Sequence, residues 1–537
     1  MFGGLTKTSS RIAIAAAFGL LLGGFAFKAT PAMAADLGGD CCADLEERVA
    51  ELEATTVRKG NKKVSVTLSG WVVKSMNYWD DGDESHFVVG DKDYDLGSRF
   101  AITGSATIAP GWSAGYNLTI NAHGDIFGFG ANQVDDLAGT YGNISTLYSY
   151  IYIKSDTLGT LNWGHLSPAS DNPAVLADLS GTVIESNSVF FEGPGFFLRA
   201  KGNGGTSLAG ATWGNFLTCQ GLGAGIGTDC WGAAQPAVRY DSPTWGGFRF
   251  EASYGKNQLT GPFVSANDED FWDVAAFYTA DWNSIKLSAA AAYTWIETGV
   301  VTGEEVDLFQ AGASIMHKPS GLGIYGMGQW ESSDGSQTSP LGILATTTFG
   351  PPTVTADFPG GGAPIFDPNI TTTFSPSFSA SVTQNNQDTD AWYVKPFWRK
   401  TWGAMNGVGL GALGATTFYG EFGQYNDQFV AGSNLCLSGF GLGTNVGNFC
   451  NVGPAPGVGE GVFVTGSEVQ RYGLGVVQEI DSAAMHVWLR WQHQEIDVDL
   501  VGFNLALPGE QDCTSGCKIN QGFDDWDLFQ VGGVIFF

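Results

Sequence analysis

The residues able to do covalent or metal chemistry are few and badly spaced for it. Six histidines stand at 86, 123, 165, 317, 486 and 493, with no HExxH pair to hold zinc and no GxSxG elbow to raise a serine nucleophile. A hydrolase needs a base within hydrogen-bond reach of its nucleophile, and no such set can be assembled. Two acidic runs, WDDGDES (79–85) and NDED (267–270), have the composition of calcium loops but not the EF-hand spacing or its final glutamate. They read as solvated external loops. Of eight cysteines, spacing suggests Cys219 with Cys230, Cys436 with Cys450, and Cys513 with Cys517, each closing a short piece of a longer loop; sequence alone leaves the connectivity open. Cys41 and Cys42 remain, for interchain bonds or as free thiols. No histidine lies at ligand spacing from any of them, which disfavours zinc. The expectation is a protein that is not an enzyme, with no cofactor and no metal.

The start of the chain gives a compartment. Lys7 and Arg11 precede the apolar run Ile12–Phe27, and Ala32-Met33-Ala34 follows as a small-x-small cleavage site, the three-part pattern of a secretory signal peptide over residues 1–34. Loss of Lys7, Arg11 and Lys28 takes the formal charge from −29 to −32. So acidic a chain is a poor partner for nucleic acid. Glycine numbers 77 of 537 residues and charged residues are only 15%, against ~25% in ordinary soluble domains. No later stretch approaches the ~18 apolar residues of a membrane helix. Apolar surface must therefore be carried on strands.

The strands can be read segment by segment. In 247–256 Phe248, Phe250, Ala252 and Tyr254 alternate with Arg249, Glu251 and Ser253, an apolar face set against a polar one. The same alternation runs through 392–400 and 485–494. It also runs through the last strand, where Phe529, Val531, Gly533, Ile535 and Phe537 share one face. Tight turns at 108–113, 155–160, 241–247, 280–284, 317–321 and 479–484 alternate with long polar connections at 80–96, 123–146, 332–390, 425–468 and 498–524. Short turns at one end and long loops at the other mark an all-β transmembrane antiparallel barrel. The pattern gives about 16 strands, or 18 if residues 196 to 213 also cross. Closure would pair the last strand with the first, near Val64–Asn77, and remove a bare edge at Phe537.

Here the sequence resembles the trimeric porins of Gram-negative outer membranes, and more closely the alphaproteobacterial (Rhizobiales-type) porin family. The resemblance rests on residues 40–70, on SPASDNPAVLADLSGT (167–182), on 237–255 with 271–278, and on terminal Phe537. It implies a homotrimer in the outer membrane, in contact with lipopolysaccharide and inserted by the barrel assembly machinery, which would read Phe537 as its signal. It also implies that the segment after the fifth strand, around 166–235, folds inward and narrows a passive diffusion channel for ions and small hydrophilic solutes. A substrate-specific channel, an adhesin and a lipid-active barrel are the alternatives. Residues 166–187 carry Asp171, Asp178 and Glu185 and no base. Alternation turns Arg99, Arg239, Arg249, Lys286, Lys395, Arg399, Arg471 and Arg490 inward. These bases are expected on the opposing wall, facing the acids across water, so that neutralising the three acids should favour anions at little cost in stability.

Residues 35–63 do not fit a barrel. Leu45, Val49, Leu52 and Thr56 follow 4-3-4 spacing, a short heptad seam for a periplasmic coiled coil. Two heptads are marginal alone, but three tethered copies are held at high local concentration. Replacing Leu45, Val49 and Leu52 with serine should therefore loosen this stalk while the trimer persists on a native gel.

Overall fold

The computed structural model describes residues 64–537 apart from 93–96, 124–131, 134–142, 187–192, 202–207, 218–233, 257–269, 300–303, 335, 345–377, 403–412, 430–459 and 505–512. The expected signal peptide, the expected heptad seam at Leu45, Val49 and Leu52, and Cys219, Cys230, Cys436 and Cys450 lie outside the described residues. Cys513 and Cys517 fall on one strand, Cys513–Ile519, with their side chains also outside the description.

Sixteen antiparallel strands close into a barrel. The first eight are β1 (Ser65–Asp80), β2 (Arg99–Ala109), β3 (Trp112–His123), β4 (Asn143–Ser155), β5 (Gly159–Leu166), β6 (Gln235–Asp241), β7 (Phe248–Lys256) and β8 (Asp270–Trp282). The second eight are β9 (Ile285–Gly299), β10 (Glu304–His317), β11 (Leu322–Ser333), β12 (Thr389–Thr401), β13 (Ala415–Asn426), β14 (Glu460–Ile480), β15 (Met485–Asn504) and β16 (Trp526–Phe536). Residues 196 to 213 do not cross. Phe197–Arg199 and Leu208–Thr212 pair with each other in a separate ribbon, because strands this short cannot span the ~9–11 residues that a bilayer demands.

Each strand pairs with its neighbours in sequence, and β1 pairs with β16 from Trp71 opposite Phe536 to Asp80 opposite Asp527. The last residue completes the seam: Phe537 N–H donates to the Gly70 carbonyl at 3.0 Å, and Gly70 N–H to the Phe537 carbonyl at 2.9 Å. Lipid offers neither donor nor acceptor, so a strand edge there must be paired, and closure is the only arrangement that pairs every edge.

Alternation decides which side faces lipid. Val72, Met76, Ile151, Ile153, Val238, Phe250, Val274 and Ile324 are exposed on the outside. Trp112, Trp245, Trp282 and Trp402 lie at the short-turn end and Tyr254, Trp272 and Trp330 toward the loop end, an amphipathic girdle at each interface. Inward positions are polar, among them Ser253, Asp273, Gln310, Lys395, Glu421 and Arg490, all buried. The tight turns need glycine where the backbone enters the left-handed region: Gly111, Gly159 and Gly321 have φ of 77°, 90° and 75°.

Deleting Phe537 removes both closing hydrogen bonds to Gly70. The truncated chain should reach the periplasm but show less folded, heat-modifiable barrel in outer-membrane fractions than the full chain; equal amounts would deny the last residue that part in closure.

Candidate functional site

Between β5 and β6 the chain turns inward instead of bridging the rim. Asn172 takes a left-handed φ of 63° and Pro173 opens a single helical turn, α1 (Pro173–Leu176), because proline presets the dihedral of a first helical residue and has no N–H to leave unpaired. From there residues 167–186 run along the inner wall, bonded to strand after strand. Arg239 on β6 donates to the Ser167 carbonyl at 2.7 Å. Ala169 N–H donates to Ser253 Oγ on β7 at 2.9 Å, and Ser170 N–H and Oγ–H to Asp273 on β8 at 2.8 and 2.7 Å. Gln310 on β10 donates to the Ser170 carbonyl at 2.7 Å, and Tyr325 on β11 to that of Ala174 at 2.9 Å. A methyl group at Gly312 would overlap the Ala174 carbonyl. Glycine there lets α1 lie directly on β10.

The second half of the loop is held by charge. Lys395 on β12 makes an ion pair with Asp178 at 2.8 Å and also donates to Thr182 Oγ1 at 3.1 Å and to the Ser186 carbonyl. Arg399 donates to the Ser180 carbonyl at 3.1 Å and pairs with Glu479 at 2.7 Å. Glu185 pairs with His486 at 2.8 Å, and Arg490 donates to the Glu185 carbonyl at 2.6 Å. Glu421 on β13 accepts from Ser186 and Tyr393, and from Gln492 at 2.8 Å, with Arg471 at 3.6 Å.

This geometry corrects the expectation of acids and bases facing each other across water. Lys395, Arg399 and Arg490 lie on the stretch of wall that carries the loop, in direct contact with it. Lys395 and Asp178 are 0% and 2% exposed. The reason is desolvation: once the loop lies on the wall, a buried ammonium is tolerable only with a carboxylate beside it. Asp171 is also buried, accepting from Ser167 and Asn172 within the loop. Arg239 also touches the loop, at Ser167, and Arg471 stands behind it beside Glu421, whereas the other three bases are not gathered there. Arg99 stacks on Trp71 at 4.8 Å and Arg249 on Phe277 at 4.2 Å, while Lys286 is exposed beside the β8–β9 turn.

A second inward element lies within the same connection around 166–235, and the sequence reading named none of its packing residues. Residues 193–217 carry Phe196, Leu198, Trp213, Phe216 and Leu217, packed into one cluster with Trp79, Tyr425, Val469, Ile496, Trp526 and Leu528 from β1 and β13–β16. Arg199 bolts this segment to the first external loop, reaching Asp81 at 2.7 Å, Glu84 at 3.3 Å and Asp83 at 3.8 Å. WDDGDES is therefore not simply a solvated acidic loop, since Asp81 is 2% exposed. The clue was there in the alternation of Phe196, Leu198 and Ala200 around Arg199 inside an otherwise polar connection.

The sequence matches the Gram-negative porin family over residues 15–499. Similar solved structures include an anion-selective porin from Comamonas acidovorans, at 14% identity over 88% of this chain and 100% of that one, with a TM-score of 0.45. OmpF of Salmonella typhi in complex with daunomycin is 11% identical over 89% and 99%, TM-score 0.42. The high-pH structure of OprB from Pseudomonas putida is 11% identical over 92% and 97%, TM-score 0.45. No curated protein sequence matches the chain.

Breaking the Asp178–Lys395 pair should be costly. Asp178→Asn leaves a buried ammonium uncompensated, a loss of about 3–5 kcal/mol, so the barrel should unfold at lower temperature. Adding Lys395→Met to the same protein should recover much of the loss.

Proposed function

The chain belongs to the Gram-negative porin family, and from that premise we propose that three copies assemble into a general diffusion porin whose conducting path is narrowed by residues 167–186. The protein is an outer-membrane β-barrel that passes ions and small hydrophilic solutes down their gradients. One observation carries the reading of the loop: it is bonded successively to β6, β7, β8, β10, β11, β12 and β15. A loop held at so many points is a fixed constriction. Its open width then needs no moving part, and conduction follows from a standing water-filled passage.

The ion pairs bear on selectivity. Asp178 is neutralised by Lys395, Glu479 by Arg399 and Glu421 by Arg471 within the wall, so little net field is left at the narrow section. A total charge of −29 then acts mainly from the external loops, screened beyond a Debye length of ~8 Å at physiological salt. Selectivity should be weak, leaning to cations at low salt. In the same reading Phe537 is the assembly signal, the heptads Leu45, Val49 and Leu52 form a trimeric stalk, and lipopolysaccharide surrounds the external rim.

Reconstitution in planar bilayers tests this. Open, ohmic conductance in three equal steps is expected, with a reversal potential on the cation side at low salt that shrinks as salt rises. Replacing Asp171, Asp178 and Glu185 with Asn, Asn and Gln should move that potential toward anions, now accompanied by a lower unfolding temperature. An unchanged potential and unchanged conductance would mean that the loop does not line the narrow section.

A further inference from the structure

Resting on the diffusion-channel reading, we propose that the inner face of β4 is a binding track for neutral saccharides, with Tyr148, Tyr150 and Tyr152 as successive ring platforms. These residues alternate with outward Ile151 and Ile153, which are 47% and 37% exposed to the lipid side. All three tyrosines are half-exposed on the inner face. Neighbouring tyrosines lie ~7 Å apart along the strand.

Their neighbours set the ligand chemistry. Across the sheet Tyr152 stands opposite Gly115, Tyr150 opposite Asn117 and Tyr148 opposite Thr119 on β3, and Tyr152 stands opposite Asn162 on β5. A Cβ at Gly115 would collide with the Tyr152 ring and hydroxyl. The ring tip therefore lies over the glycine, in space that any side chain there would fill. Asn117 donates to Tyr150 Oη at 3.4 Å and accepts from Thr119 Oγ1 at 2.7 Å, an arrangement that fixes the amide beside the ring. The inward positions of β3 and β4 in this stretch hold no carboxylate, and Lys154 stands only at the turn end. On the in-folded loop, Leu176 is 61% exposed, an apolar side chain left open on a turn whose Ala174 and Val175 are buried.

An electron-rich ring face attracts the C–H-bearing face of a saturated ring, while amides and hydroxyls both donate and accept to sugar hydroxyls. The nearest fixed charges are Arg239 and Asp241 on β6, beside Tyr150 and Asn162; they pair with each other at 2.8 Å and so offer an ion little net charge to hold. A chain of linked pyranoses can lay one ring on each tyrosine in turn, so affinity should grow with chain length. This contrasts with the wall of β12, β13 and β15, where Lys395, Glu421 and Arg490 are engaged by the loop.

The experiment is current block in a planar bilayer by glucose, maltose and maltotriose, with polyethylene glycol of matched size as the control. Saturable block is expected, tightening from the mono- to the trisaccharide. Tyr152→Ala should weaken maltotriose binding about fivefold, the scale of one aromatic contact, and leave open conductance in place; Tyr152→Phe should keep most of the affinity. Block by saccharide no stronger than by the size-matched glycol, or equal in Tyr152→Ala and the unaltered protein, overturns the track while the channel stands. Stronger block by tetrabutylammonium than by maltotriose overturns it in favour of a cation site on the rings. Absence of any conductance overturns the diffusion-channel reading and this inference together.

Discussion

Every feature of this protein depends on one constraint: inside a bilayer no backbone N–H or C=O can be left without a partner. Sixteen strands satisfy it by closing on themselves, and the seam is completed by the reciprocal bonds between Gly70 and Phe537. Closure in turn creates an interior. Because side chains alternate across each strand, a lipid-facing set of Ile, Val, Phe and Trp obliges the other set to line that interior, and the interior is polar.

A polar interior could have been left to water, yet much of it is not. The described residues of the connection between β5 and β6 lie inside, and its two halves are fastened by different physics. Residues 167–186 bury Ala174, Val175 and Ala177 among side chains of β9, β11 and β12, and take their register from hydrogen bonds to Ser253, Asp273 and Gln310 and from the Asp178–Lys395 pair. Residues 193–217 bring Phe196, Leu198, Trp213 and Phe216, and bury them against apolar positions of the upper wall. The first half is specific in register, since each bond has one partner. The second provides area, which is less selective but contributes more stabilisation per residue.

Together these elements make the channel lopsided. The charged wall of β12, β13 and β15 is engaged by the loop, and the neutral, tyrosine-bearing face of β4 stays half-exposed. Alternation in the sequence set the bases across water from the loop's acids; the folded chain brings Lys395 and Asp178 into contact instead. Net charge at the throat therefore cannot be inferred from how many charged residues point inward. It depends on which of them already have a partner.

The barrel itself was legible in the sequence, because period-two alternation and the spacing of Gly, Pro, Asp and Asn at turns are local properties that each strand carries alone. The inward orientation of Lys395, Arg399 and Arg490 followed from the same rule, as did the exposure of Phe248 and Phe250 to lipid. What only the tertiary structure decided is which inward residues meet. Asp178 and Lys395 are separated by more than two hundred positions, and nothing in either neighbourhood specifies the other. Whether they oppose each other across water or touch depends on the path of the loop. That path is set by the summed fit of Gly312 beneath α1, Asp273 beside Ser170 and Glu421 beside Ser186. The same holds for residues 196 to 213, whose alternation suits either a membrane strand or a buried ribbon. Their short length and the apolar cluster waiting inside the wall chose the ribbon, since alternation records only that one face is apolar and not whether lipid or protein covers it.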